Sequence, residues 1–180
     1  MDRSRRDLLR RQFDLTWALF DYHLVRLADA DFLWEPAPLC WTVRPGPGGT
    51  WVPDWADTEP EPVPVPTIGW LSWHIDWWWS TALDHVRGRT PRAREDIGWP
   101  GDGAAAVARL RALHGDWRAA LDGLPDAALD AVAPFPWQGD PEYTVAHMIG
   151  WVNVELMKNA AEIGQLRLLR AASAGTTARE

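Results

Sequence analysis

The side chains of this sequence able to act on a small molecule gather in two segments. In the first, His74 and Asp76 stand among Trp70, Trp73, Trp77, Trp78 and Trp79. In the second, His147, Trp151, Glu155, Lys158, Glu162 and Gln165 recur at steps of four or three, which places them on one face of a helix. An imidazole is a metal ligand or a general base, a carboxylate coordinates or accepts hydrogen bonds, and an ammonium only donates. A helical bundle builds its sites from such groups on facing helices. If the two segments face one another, His74, Trp70, Trp73, Trp151, Glu155, Lys158 and Glu162 line one pocket, and its indole walls favour a planar or apolar guest. The plainer alternative is a solvated face on which Glu155 and Glu162 flank Lys158 as surface pairs worth about a few tenths of a kcal/mol each. For His74 the plainer alternative is a hydrogen-bonded core histidine.

The other reactive residues carry less. His23 and His114 are explained by exposure, and His85 lies near a helix C-terminus, where a cation is favoured. Cys40 reads as a buried structural thiol. There is no Gly-rich phosphate cradle, no His-Glu-x-x-His zinc pair and no Gly-x-Ser-x-Gly elbow.

Four long amphipathic segments must position these groups. Residues 7–27 carry Leu8, Leu9, Phe13, Trp17, Phe20, Leu24 and Leu27 at helical steps. Thr67 is suited to cap a helix running to about Arg87, with Gly88 as its stop. Residues 104–121 repeat the spacing, and 143–172 form the last and longest helix, followed by a small, polar tail over 173–180 that is expected to fray. Between the first two helices, residues 34–66 are too rich in proline for a helix, yet hold Trp34, Trp41, Trp51 and Trp55, so this long connection should pack onto the core. Three consecutive tryptophans, Trp77 to Trp79, cover more than half of a helix circumference, so one of them must meet that loop or a partner subunit. No segment alternates convincingly as a strand, and the reading is an all-α four-helix bundle over 1–172 with a crossover connection.

Composition bounds the function. With 180 residues, 47% of them hydrophobic, the chain makes one domain with a real core. A formal charge of −7, without an evident basic patch, argues against nucleic acid and anionic membranes as partners. The absence of a membrane-length apolar run or a secretory leader, together with a single cysteine, points to the cytoplasm. Fourteen of the aromatic residues are Trp, and Lys158 is the one lysine among arginines.

The order of motifs is informative. Phe32-Leu33-Trp34-Glu35-Pro36 and Cys40-Trp41-Thr42-Val43-Arg44 precede Thr67-Ile68-Gly69-Trp70-Leu71-Ser72-Trp73-His74-Ile75, and Glu155 to Gln165 follows in the last helix. In this the chain resembles the DinB-like superfamily (DinB/YfiT-like metalloenzymes), which includes mycothiol-dependent maleylpyruvate isomerase and bacillithiol transferases. The resemblance spans about residues 7–170. It implies a right-handed up-down-down-up bundle, often dimeric, with a divalent metal (Zn, Ni or Mn) held by three histidines, one on the second helix and two on the last. The first of these maps onto His74, but the last-helix pair maps onto Lys158 and Glu162, where the pattern is broken. A protonated lysine has no lone pair for a cation. The expectation is therefore a degenerate site without tightly bound metal, in which Lys158 bonds to Glu162 and, as a second partner, Glu155; coordination by His74, Glu162 and Glu155 together is the competing possibility.

Three functions follow from this reading. They are a DinB-like protein with a degenerate metal site and a Trp-lined small-molecule pocket, a metal-dependent transferase or isomerase using a mycothiol-type thiol cosubstrate, and a non-catalytic homodimeric module associating through exposed tryptophans.

Overall fold

The computed structural model describes residues 4–177. Helix α1 (Arg5–Leu24) starts where the Ser4 hydroxyl accepts the Asp7 N–H. A one-turn helix, α2 (Asp29–Phe32), follows. Helix α3 (Ile68–Val86) is capped by Thr67, whose hydroxyl accepts the Trp70 N–H at 3.2 Å, and it ends before Gly88, at φ +65°. Helix α4 (Gly103–Gly123) begins with Asp102 accepting the Ala105 N–H at 2.7 Å. Helix α5 (Val145–Thr177) runs past Ser173, where the sequence reading ends the bundle; residues 178–180 lie outside the described residues.

Cross-helix contacts fix the directions. Along α1 and α5, Asn153 donates to the Leu9 carbonyl and His23 lies against Gly164, so residue numbers rise together and the helices are parallel. Along α1 and α4, Asp14 pairs with Arg118 and Asp21 with Arg111, so these two are antiparallel. Between α3 and α4, Asp76 meets Arg109 and Arg87 meets Asp116, so they are parallel. The path is up, down, down, up, in a four-helix bundle of the kind the sequence predicts.

The core is continuous, from Phe13, Phe20 and Leu24 on α1 through Ile75, Trp79 and Leu83 on α3 and Leu110, Leu113 and Trp117 on α4 to Ile149, Val152 and Leu156 on α5. The α1–α5 approach is close: a Cβ on Gly164 would fall 2.6 Å from the His23 ring.

The connection over residues 34–66 differs in one respect from expectation, because it contains short strands. Strand β1 (Cys40–Trp41) pairs in parallel with β4 (Val65–Pro66), and β2 (Val43–Pro45) pairs antiparallel with β3 (Trp51–Pro53). Strands of two or three residues are too brief to show alternation. Asp54 pins the loop to the bundle: its carboxylate accepts the Thr42 N–H, its own N–H donates to the Thr42 carbonyl, and its carbonyl accepts the Trp70 indole N–H at 2.8 Å. The four loop tryptophans do pack down. Trp41 stacks on Trp70, Trp51 meets Trp99 edge-on, Trp55 meets Trp77 edge-on, and Trp34 lies under the Arg170 guanidinium.

Candidate functional site

His74 lies on the part of α3 that carries the most indoles. Its ring stacks on Trp70, with centroids 4.9 Å apart and planes 11° apart, and meets Trp77 edge-on at 5.7 Å, with Trp73 at 6.5 Å. The ring is partly buried and its Nδ1 is enclosed without a hydrogen-bond partner. Burial, and after it the positive charge of Lys158, pushes the His74 pKa down to about 4, so the imidazole is neutral at physiological pH. A buried ring nitrogen with nothing to bond is a costly feature in a fold that satisfies most of its polar atoms. The core-histidine alternative, which needs a satisfied ring, does not describe it.

The tryptophans around it are held by their own N–H groups. Trp73 donates to the Ile97 carbonyl, Trp99 to the Ser72 hydroxyl and Trp78 to Asn159 Oδ1. Of the three consecutive indoles, Trp78 and Trp79 are in the core and Trp77 turns outward, where Trp55 of the proline-rich loop covers it. Of the two neighbours expected for the outward indole, the proline-rich loop or a partner subunit, Trp77 meets the loop. Trp151, from α5, meets Trp78 edge-on at 5.4 Å and Phe135 at 5.2 Å.

The polar seam of α5 divides. Lys158, with a side chain 49% exposed, pairs with Glu155 at 2.7 Å. Glu162 is held elsewhere, by the Asn159 side-chain amide at 2.8 Å, so the expected Lys158–Glu162 bond is replaced by Lys158–Glu155. Asn159, buried between Trp78 and Glu162, is absent from the sequence reading. Its place at i+4 from Glu155 was the available signal. His147 is exposed, and its Nδ1 accepts the Thr144 N–H at 2.9 Å, closing the first turn of α5. Gln165 is exposed as well.

Two other histidines also depart from expectation. His114 is half-buried, stacked on Trp17 at 4.1 Å, and burial lowers its pKa. His23 is half-buried against α5, lowered first by burial and then by Arg167 and Arg26. Cys40 is only half-buried and donates its S–H to the Ala37 carbonyl.

The metal that the resemblance implies does not fit these donors. His74 has an unpartnered ring nitrogen to offer, but an ammonium stands at one usual ligand position and its charge reaches the imidazole. Glu155 is engaged by Lys158 and Glu162 by Asn159. Among the described residues no three His, Cys, Asp or Glu side chains come together to hold an ion, so His74, Glu155 and Glu162 do not form a ligand set. Clefts of about 330, 420, 430 and 510 Å³ lie among other described residues, and none of these is lined by His74, Trp70, Trp73, Trp151, Glu155, Lys158 or Glu162.

A long crossover, two parallel central helices and an imidazole on the second long helix set toward the fourth define a particular class of helical bundle. The sequence profile of the DinB superfamily matches residues 12–163, and the chain belongs to that superfamily. No curated protein and no solved structure matches it. No helix among the described residues is long and apolar enough to cross a membrane.

Proposed function

We propose that this DinB-superfamily chain binds a planar, largely apolar small molecule beside His74 and does so without a resident metal. The observation that carries this reading is the neutral His74 ring, partly accessible, with an unpartnered Nδ1 and walls of Trp70, Trp73 and Trp77. A neutral imidazole offers one donor and one acceptor to a guest, and indoles offer faces for stacking. Lys158 supplies positive charge near the place where a cation would otherwise sit, and Glu155 balances it. Trp55, edge-on to both Trp73 and Trp77, is the residue a guest must pass or displace. A thiol transferase would need an ion to activate its thiolate, and this donor set does not favour one.

The test is metal analysis combined with titration of intrinsic Trp fluorescence by p-nitrophenol. Purified protein should hold well under one equivalent of Zn, Ni or Mn. Quenching should saturate, with affinity about tenfold weaker in His74→Leu, the loss expected from one well-placed hydrogen bond to a buried group. One equivalent of metal released by His74→Leu, or quenching indifferent to that change, would overturn the reading.

Association into a homodimer is a second reading, with its own observation. Leu8, Leu15, Leu19 and Tyr22 project from α1 into solvent at helical steps, and Val154 and Leu168 do so from the adjacent α5. A shallow groove between the two helices, lined by Leu15, Gly150 and Val154 among others, brings Leu15 of one helix and Val154 of the other onto one face.

A further inference from the structure

The face of α3 turned toward α4 carries Asp76, Ser80, Leu83 and Arg87 at steps of four, three and four, well around the helix from His74. Between that face and α4 lies a half-open cleft of about 420 Å³. Arginines dominate its rim and floor. Arg109 is held by the buried carboxylate of Asp76, which is 7% exposed, through Nε at 2.9 Å and Nη2 at 2.8 Å. Its Nη1 makes no bond to Asp76. Arg87 uses Nη2 alone, for the Asp116 carbonyl and carboxylate at 3.0 and 2.8 Å. Arg89 turns one amino group to Asp84. Arg92, also on the lining, meets no carboxylate within ion-pair distance among the described residues.

Four guanidiniums thus face three carboxylates, Asp76, Asp84 and Asp116, in a molecule whose formal charge is −7. Arg87, Arg89 and Arg92 come from the end of α3 and the irregular segment after it, and Arg109 from a helix that only the fold brings beside them, so no run of the sequence displays the cluster. The aspartates do not consume the donors. Each anchors a guanidinium in place and leaves part of its fork unused, which is the arrangement that recognises planar or tetrahedral oxyanions. Anchoring also reduces the side-chain entropy lost when a ligand arrives.

We propose that this α3–α4 cleft is a binding site for a small molecule bearing an oxyanion, a carboxylate or a phosphate ester, with Arg92 and the free edges of Arg87 and Arg109 as its contacts. It is separate from the indole cluster around His74 and stands independently of the reading given for that cluster. Phosphate and carboxylate share the chemistry of paired oxygens with delocalised charge; they differ in how many donors they take.

Isothermal titration at fixed, low ionic strength tests this with two probes, inorganic phosphate and glutarate, on wild-type protein, Arg92→Glu and Arg11→Glu. Arg11 is exposed on α1 and away from the cleft, so its reversal changes the net charge by the same amount. Saturable one-site binding is expected, weakened by about tenfold or more in Arg92→Glu and within about twofold of wild type in Arg11→Glu. Binding of phosphate alone assigns the ester, and of glutarate alone the carboxylic acid; binding of both supports the shared chemistry. Failure of both probes to saturate, or equal losses in the two variants, overturns the proposal. His74→Leu should leave these titrations unchanged, which keeps the two sites distinguishable.

Discussion

His74 makes the sharpest demand at the scale of single residues. Its pKa falls from 6.5 to about 4 on folding, chiefly through burial. Between those values the unfolded chain binds a proton that the folded one does not, so stability rises with pH there and is lost as pH falls from about 6.5 toward 4. The full shift corresponds to on the order of 3 kcal/mol. Replacement by Phe should flatten that limb of a stability-against-pH curve measured by urea unfolding in the presence of a chelator. His23, His85 and His114 are also lowered by burial and act in the same direction, so the difference between wild type and His74→Phe is the quantity to read. An unaltered slope would place the ring in water. The Asp76–Arg109 pair makes another demand. Asp76→Ala strands a partly buried guanidinium, and a loss on the order of 3 kcal/mol in urea unfolding is expected. Neither role follows from composition: Asp76 and Glu162 are both acidic residues near indoles, and only their partners, Arg109 and Asn159, separate them.

Among the elements, α3 depends most on its first turn. The Thr67 hydroxyl accepts the Trp70 N–H and donates to Thr42, tying the cap to the start of the proline-rich loop, and Thr67 has no exposed surface. Thr67→Ala should cost about 1–2 kcal/mol by loss of the cap and of the buried bond, whereas Thr67→Ser should recover most of it; thermal unfolding compares the three. The α1–α5 contact is governed differently, by the absence of a side chain. Gly164→Ala drives a methyl into the His23 ring, and a loss of about 1–3 kcal/mol is expected from overpacking. Restoring room with Gly164→Ala, His23→Ala together should return part of the loss, because residues in contact do not act additively. The cap at Thr67 and the stop at Gly88 were legible in the sequence because capping is chemistry between neighbours in the chain; the cap at Asp102 acts by the same chemistry and emerged with the structure. The short strands were not, since their pairing joins residues some 25 apart in one case, Cys40 with Val65.

For the whole molecule, the exposed apolar stripe along α1 and α5 is the feature with consequences beyond the chain. Leu15 is 63% exposed and Val154 68%, on two parallel helices flanking one groove. A second copy related by a two-fold axis would cover both stripes with the same residues. Sedimentation velocity should show a dimer for the wild type and a monomer for Leu15→Glu, Val154→Glu, with unchanged helical circular dichroism. A wild type that stays monomeric across the concentration range would remove the dimer reading without touching either proposed site.

The sequence by itself determined the four long helices, the Thr67 cap and Gly88 stop of α3, the packed character of the 34–66 connection and the position of His74 among indoles. These depend on periodicity and on side chains acting within a few residues of themselves. Within α5 the helix spacing offered Lys158 both Glu155 and Glu162, and the structure selects Glu155 and gives Glu162 to Asn159. The tertiary structure alone decided the partners from other elements: Trp55 as the loop residue over Trp77, Arg109 for Asp76, and His114 and His23 half-buried rather than exposed. It also decided that Arg87, Arg89 and Arg92, from the end of α3 and the segment after it, meet Arg109 across a cleft in an acidic protein. The reason is physical. A residue three or four positions along a helix is placed by the helix itself, while a partner from another element is placed by the packing of two surfaces, and no spacing along the chain records how those surfaces meet.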